Sequence, residues 1–556
     1  MRKFLKIIAI IIAIPVVLLL ILVGTAIVLY RTADMKEPAI DPTRLSHYTL
    51  TDSAGYRIYN GNFLRYNDDG LWEMYIHGDA VARGEAAGIL TDSLLYYQES
   101  VFVNRIREFI PSESYLNFLR YLIVLFNRDL GNNVTEEFRT EIAAIARSCT
   151  HEYDFIGTPY ERQLNYHAAH DIGHLMQDYM LVGCSSFAVW DSDSADSTLL
   201  IGRNFDFYMG DDFARNKLVT FCEPDSGYRF ASIGWPGMIG VLSGMNEAGL
   251  TVTINAAKGT LPRATATPIS LLAREILQYA ATIDEAYAIA GRRKTFVSES
   301  LLIGSARDRK AAIIEKSPDR MALFTSTDNR IACTNHYQSA AFANDPHNQE
   351  NILTSDSPHR LRRLHQLTDS LRPLTPVGAA AILRDYRDEE NRFIGLCNEL
   401  SINQCIAHHS VIFAPEKRIM WVSTAPWQAG KYIAYNLDSV FCTDNPIEPR
   451  IETSIPAIPA DTAFLTAYYN DVVTYRRLVP IIRDAASTAT CLPADTLQLF
   501  LTVNPDFYHT HELLGDYYFA QGNTTQALTE WEKALQLAIP KENEKTRIEE
   551  KIKQTK

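Results

Sequence analysis

The amino-acid sequence predicts an α+β protein in which two stacked antiparallel sheets are covered by helices, with a membrane helix before them and a small all-α region after. Three observations lead there. Strand-like runs come in blocks and helical runs come in blocks, instead of alternating one for one. After Arg2, Lys3 and Lys6, the run from Ile7 to Tyr30 carries no charge at all. Beyond Pro446 the composition shifts through I-P-A-I-P-A to helical patterns only.

Taken in order, the uncharged run would span roughly 36 Å as a helix, enough for a bilayer core of about 30 Å. Its exit, A-I-V-L-Y-R, lacks the small-x-small pattern of a cleaved signal. It is therefore expected to anchor the chain, and the basic residues before it put the N-terminus in the cytoplasm and the remainder on the outer side. The expected organisation is an anchor over 1–31, a polar connector over 32–52 with Pro38 and Pro42, and a leading segment over 53–183. A domain of strand and helix blocks over 184–445 and a helical region over 446–556 follow. Within the leading segment, 71–97 has a strand-like start and then apolar residues three and four apart, the spacing of an amphipathic helix. Further helical pattern runs over 112–148, with Thr135 suited to an N-cap. This segment reads as folded helices.

His167, His170 and His174 would share one helical face, and H-x-x-x-H on a helix can hold zinc. The motif is not H-E-x-x-H, and no nearby Cys or Glu completes a tetrahedron. A structural or site-lining role is the favoured reading, and no metal or cofactor is expected.

From Val182 to Phe207, apolar and β-branched residues flank a polar Asp/Ser turn, which predicts a hairpin of two strands, 184–190 and 198–203. Strands are next expected at 217–223, 228–234, 239–244 and 250–255, then helices at 268–280 and 283–292. Strands resume at 301–305, 311–315, 322–326 and 331–334. Helices at 358–371 and 376–386 and strands at 409–413 and 419–423 complete the pattern. In 511–540, Leu514, Gly515, Tyr518, Ala527, Trp531 and Ala534 fall at tetratricopeptide-repeat spacing. A single repeat cannot bury itself, so it is expected to stack on 462–486 or on the domain over 184–445. It reads as a helical cap, with a groove for a protein partner as the other reading.

Net charge is -13 and the pI about 5.6, which excludes a nucleic-acid binder, because phosphate contacts need a basic surface. The eight cysteines show no C-x-x-C pair. If Cys184 stays free, the remaining seven cannot all pair, so isolated thiols and at most one or two bridges are expected.

Five pieces of sequence, G-C-S-S-F, G-R-N-F-D-F, G-M-N-E-A-G-L-T-V-T-I-N, T-N-H-Y and S-P-H-R-L-R-R-L, occur in this order between Gly70 and Leu437. Together they resemble the N-terminal nucleophile hydrolases, in the branch of the penicillin-forming acyl-CoA acyltransferases (peptidase C45-like), choloylglycine hydrolases, penicillin V acylases and acid ceramidases. The G-D-A-V-A-R-G-E-A-A-G stretch is similar to the opening of the acyltransferases' leading segment. The resemblance implies a four-layer αββα sandwich and a chain that cuts itself between Gly183 and Cys184. Residues 53–183 would then be the α chain and 184–445 the β chain.

Cys184 would carry both a thiol and a free α-amine, so one residue would supply nucleophile and base. By the resemblance, Asp206 holds the amine, Arg203 tunes the thiolate, Asn255 helps form the oxyanion hole and Asn335 steadies the tetrahedral intermediate. Arg360 matches the late arginine, although Arg362 and Arg363 leave that register open. The function implied is an anchored, self-processed amidohydrolase or acyltransferase acting on a small acyl-amide or acyl-thioester substrate through a Cys184 thioester. Two other readings stay open: a catalytically silent anchored scaffold recruiting a partner through the repeat, and a cysteine hydrolase of the same shape that is never processed.

Overall fold

The computed structural model describes residues 24–25, 28–29, 32–45, 48–53, 55–175, 181–260, 265–442, 451 and 454–556, without the side chains of residues 109, 169–175 and 181–182. The expected anchor, 7–30, lies almost wholly outside the described residues, and among these no helix is long and apolar enough to cross a membrane.

The chain opens with β1 (Thr51–Ser53), β2 (Tyr56–Tyr59), β3 (Asn62–Tyr66) and β4 (Trp72–Gly78). The leading segment is thus not helical throughout, as the sequence reading expected. Tyr59 pairs with Asn62 across a two-residue loop, and both loop residues have positive φ, 48° at Asn60 and 75° at Gly61. That is the Asn-Gly hairpin turn whose twist matches the flanking strands. Helices Ala80–Leu90, Asp92–Phe109, Glu113–Phe126, Glu136–Ala146 and Pro159–Leu175 follow, with Thr135 capping the fourth through Phe138.

The hairpin β5 (Leu181–Asp191) and β6 (Ser197–Tyr208) comes next. After it run β7 (Leu218–Pro224), β8 (Phe230–Gly234), β9 (Ser243–Asn246), β10 (Leu250–Ala256), β11 (Glu299–Ser305), β12 (Lys310–Lys316) and β13 (Met321–Phe324). The last strands are β14 (Arg330–Cys333), β15 (Ala407–Ala414), β16 (Ile419–Ser423) and β17 (Tyr432–Asn436). The expected strand at 239–244 is mostly loop. There Ile239 N–H donates to His167 Nε2 and Val241 N–H to the Ser270 carbonyl, so these groups are satisfied by helices instead of a neighbouring strand.

Two sheets result. The larger has the order β1-β2-β3-β4-β7-β8-β9-β10-β11-β12-β13 and the smaller β14-β5-β6-β15-β16-β17. All neighbours are antiparallel except β4 and β7, which pair in parallel from Trp72 with Leu218 to Gly78 with Pro224. The leading segment is therefore built into the larger sheet.

Side-chain alternation stacks the layers. Ala188, Trp190, Leu199 and Ile201 of the small sheet meet Val219, Phe221, Ile233 and Ile313 of the large one. Phe187, Val189 and Leu200 point the other way, onto Leu364 of helix Ser357–Ser370 and Ala379 and Ile382 of helix Pro376–Leu383. On the outer face of the large sheet, Met74, Val252 and Ile303 pack with Ala86, Ile142, Leu272 and Ile276 of the helices covering it. The order is helix, sheet, sheet, helix.

Helices Thr462–Thr488, Ala494–Val503, Tyr508–Ala520, Thr524–Ala534 and Glu542–Thr555 form the C-terminal region. A Cβ on Gly515 would lie 2.3 Å from the Trp531 side chain, so the glycine is what lets the third and fourth of these helices close on each other. The region docks on the sandwich through Asn504, which exchanges 2.9 and 3.0 Å hydrogen bonds with the Leu396 backbone, and through Arg476, which donates to Asp211 at 2.8 Å.

Candidate active site

β5 begins at Leu181, so Cys184 sits inside a strand and not at its mouth. Its register partner on β6 is Phe205, and Gly183 faces Asp206. In the intact chain Cys184 is 1% exposed. Burial pushes its thiol above the usual range, opposed by the guanidinium of Arg203, whose Nη2 is 3.6 Å from Sγ.

The Gly183–Cys184 link is surrounded by polar side chains. Asn335 Oδ1 accepts the Cys184 N–H at 2.9 Å, and its Nδ2 donates to the Ala256 carbonyl at 2.9 Å. Arg360 donates through Nη1 to the Cys184 carbonyl at 2.6 Å and through Nη2 to Asn335 Oδ1 at 2.8 Å. Asp356, the N-cap residue of the helix that carries Arg360, accepts from Arg360 Nε at 2.9 Å. Arg362 turns to Glu389 and Arg363 to Asp385, so of these three arginines Arg360 is the one that reaches Cys184.

Arg203 bridges the sheets, donating to the carbonyls of Leu242, at 2.8 Å, and Ile254. Asn255 Oδ1 accepts from Ser186 Oγ at 2.9 Å and its Nδ2 donates to the Cys333 carbonyl at 3.2 Å. Its amide is thus tied to the strand beside Cys184. Asp206 is fully buried, and neither carboxylate oxygen has a hydrogen-bond partner. Burial raises it to about 8, against the pull of Arg360 and Arg203. The structure brings Cys184, Arg203, Asp206, Asn335 and Arg360 around one peptide link, with Asn255 one layer away on Ser186.

His167 has both ring nitrogens engaged: Nδ1 faces the Gln163 carbonyl at 2.7 Å and Nε2 accepts from Ile239 at 3.0 Å. Burial lowers it to about 4. These contacts tie it to its own helix and to the Ile239 backbone, and it also lines the cavity described below; the side chains of His170 and His174 fall outside the described residues. No cluster of three or more metal-ligating side chains occurs among the described residues. The described cysteines are all free thiols.

A cavity of about 320 Å³ lies between helices Asp92–Phe109 and Glu113–Phe126 of the leading segment and the end of β6. Phe102, Val103, Leu116, Ile123, Phe213 and Trp235 make it largely apolar. Cys184 is not in its wall. Phe207 is, stacked at 5.6 Å on Phe205, the register partner of Cys184.

Residues 192–426 match the model of the acyl-coenzyme A:6-aminopenicillanic acid acyl-transferase family. This stretch is similar to that family. The acyl-transferase match covers Arg203, Asp206, Asn255, Asn335 and Arg360 and begins eight residues after Cys184.

An "Uncharacterized protein" of Archaeoglobus fulgidus is 29% identical over 204 residues, 34% of this chain and 34% of that protein. "Protein dcd1B" of Dictyostelium discoideum is 22% identical over 286 residues, 48% of this chain and 54% of that protein. The chain therefore spans well under two thirds of either curated relative. Similar solved structures include a Caenorhabditis elegans N-acylethanolamine-hydrolyzing acid amidase ortholog, with 14% identity, TM-score 0.31, and coverage of 42% of this chain and 93% of that one. Another is a conjugated bile acid hydrolase of Clostridium perfringens, with 12% identity, TM-score 0.32, and coverage of 50% and 98%. A penicillin V acylase of Agrobacterium tumefaciens shows 13% identity, TM-score 0.31, and coverage of 47% and 88%.

Sequence reasoning passed over Ser243, His408 and His409, which lie on the far side of Arg203 from the sulfur. Only the H-H doublet opening a strand pattern could have pointed to them.

Proposed function

We propose that this protein is a self-processed cysteine amidohydrolase or acyltransferase, acting on an amide between an apolar acyl group and an amine through a thioester on Cys184. The observation that carries this reading is the convergence of Asn335 and Arg360 on the backbone of Cys184 and of Arg203 on its sulfur. Structural scaffolding alone has no need of three polar side chains around one strand residue.

In the first step the Cys184 thiol adds to the Gly183 carbonyl, the C–N bond breaks, and nitrogen takes the thiol's proton to become the α-amine. Water then hydrolyses the thioester, leaving a carboxylate on Gly183 and restoring the thiol. A precursor whose nucleophile is still closed off accounts for the burial of Cys184 in the intact chain. In the mature site the amine takes the thiol's proton as sulfur attacks the substrate carbonyl, then passes it to the leaving amine. Asp206, opposite Gly183, supplies a buried carboxylate beside the new ammonium, and Asn335 is already placed on that nitrogen. Asn255 has used one amide hydrogen on Cys333; its second is suited to the developing oxyanion, where one donor is worth about 3 kcal/mol. Transfer differs from hydrolysis only in an amine replacing water at the thioester.

The apolar cavity beside Phe207 supports an acyl chain as the part of the substrate that is bound. The N-terminal run fits an anchor that keeps the domain on the outer side of a membrane, close to such substrates. The C-terminal helices, with their repeat-like spacing, act as a cap, and their exposed face is where a protein partner would sit.

The test is a denaturing gel with N-terminal sequencing of purified protein. Fragments 1–183 and 184–556, the second beginning with Cys, are expected from wild type and a single band from Cys184→Ala. A Cys184→Ala chain that still splits overturns the reading.

A further inference from the structure

On the side of Arg203 away from Cys184, a row of polar groups runs between the sheets with no role assigned above. Arg203 Nη1 donates to Ser243 Oγ. Ser243 Oγ is 2.8 Å from His409 Nε2, and His409 Nδ1 is 3.1 Å from His408 Nδ1. His408 and His409 are 1% and 0% exposed, and His408 Nε2 is buried without a partner.

The backbone is shaped to bring the two rings together. Consecutive residues on a strand point to opposite faces, so neighbouring histidines should not touch. The pairing of β15 with β6 is interrupted between Ala407 and His409, where Ala407 faces Asp206 and His409 faces Phe205. The extra residue is His408, and a bulge re-aims the side chain it carries. It sits two strands over from Cys184 with β6 between them, since Phe205 of β6 is the register partner of both Cys184 and His409.

The direction of the chain follows from proton counting. Ser243 Oγ accepts from Arg203, so its own hydrogen goes to His409 Nε2. His409 then carries its proton on Nδ1 and donates to His408 Nδ1, and His408 carries its proton on Nε2. This order leaves a single unpaired N–H. The reverse order strands the Ser243 hydroxyl hydrogen and a bare imidazole lone pair, two buried unsatisfied groups instead of one. Burial and the cations Lys217 and Arg203 hold both histidines neutral, as this arrangement requires. Asp206 and Glu299 are the acidic groups facing Cys184 and Arg203.

We propose that Ser243, His409 and His408 are positioning residues for the Cys184 chemistry, a one-way hydrogen-bond chain that holds the Arg203 guanidinium against the sulfur. The inference rests on the reading of Cys184 as nucleophile. The chain keeps one Arg203 nitrogen occupied from behind, so that Nη2 stays aimed at Sγ, and it does so without a carboxylate that would neutralise the guanidinium's effect on the thiolate.

The test uses full-length protein and the pH dependence of Cys184 alkylation by iodoacetamide, read as mass on the Cys184 peptide. Ser243→Ala and His409→Phe are expected to move the midpoint up by about one pH unit, roughly tenfold in rate at a fixed pH below it. Ser243→Thr, which keeps the hydroxyl, is expected to match wild type. A midpoint unchanged in Ser243→Ala and His409→Phe, even with a lower Tm, overturns the proposal. The alkylation profile is read on processed chain, where the sulfur is open to the reagent; where the chain stays in one piece with Cys184 buried, the histidine tautomers described next are read instead, so failure of self-cleavage is distinguishable from failure of this inference. Should the variants not fold, ¹⁵N-histidine NMR of the wild-type chain decides: a proton on Nδ1 of His409 and Nε2 of His408 is expected, and the opposite tautomers overturn the chain.

Discussion

Asp206 is a carboxyl group sealed between β-strand and helix with both oxygens unpaired, and that makes the intact chain sensitive to pH in a direction opposite to most acidic side chains. Its folded value is about 8, against an ordinary 3.8. Between these limits the folded state holds a proton that the unfolded chain has released, so the contribution of Asp206 to stability falls as pH rises through this window. In a Cys184→Ala background, which keeps the chain in one piece, Asp206→Asn removes that slope. The Tm advantage of the Asn variant is expected to grow from about pH 5 to about pH 8; thermal melts across that range check it. Gly183 makes a second point at this scale. A Cβ there would meet the Gln404 amide at 2.7 Å, so Gly183→Ala is expected to slow self-cleavage several-fold with little loss of Tm, as followed by the precursor band over time. The resemblance put the cut after Gly183, but nothing in the sequence announced Gln404, which arrives from a loop more than two hundred residues later.

Among the elements, the helices Asp92–Phe109 and Glu113–Phe126 wall the cavity beside Phe207, so under the proposed function they set substrate choice. Val103→Trp fills part of that space. It is expected to lower kcat/KM at least tenfold for amides of long acyl chains while leaving acetyl amides nearly unchanged, in a series of chain lengths assayed side by side. Near-equal losses along the series would remove the cavity from the acyl site. In the C-terminal region, Gly515→Ala drives a methyl group into Trp531 and is expected to cost about 1–3 kcal/mol of stability by overpacking, measured by denaturant unfolding. Element identity was largely readable: helix 283–292 and strand 419–423 lie where the apolar periodicity put them. The meander β1 to β3 was not read, although Asn60-Gly61 between alternating apolar residues is a hairpin signal, because each of its strands is too short for periodicity to stand out.

At the scale of the whole molecule, the parallel pairing of β4 with β7 holds the leading segment to the part after Cys184 by a full strand of backbone pairing. After a cut before Cys184 the two pieces are expected to stay together through size exclusion and separate only in denaturant. Chain begun at Cys184 is expected to be insoluble, since it would expose the edge of β7 and the apolar face under helices Ala80–Leu90 and Glu136–Ala146. Recovery of a soluble, folded 184–556 fragment at wild-type Tm would show that the leading segment is dispensable.

By itself the sequence determined what is local: the strand and helix periods, the uncharged run near the N-terminus, and the residue types gathered in G-C-S-S-F, G-R-N-F-D-F, T-N-H-Y and S-P-H-R. Those depend on neighbours three or four positions away at most. Tertiary structure decided which arginine reaches Cys184, that Asp206 is left without a partner, and that a bulge joins His408 to His409 behind Arg203. Each of these is set by the meeting of strands and helices far apart along the chain, and the energy of a buried charge depends on what surrounds it in space.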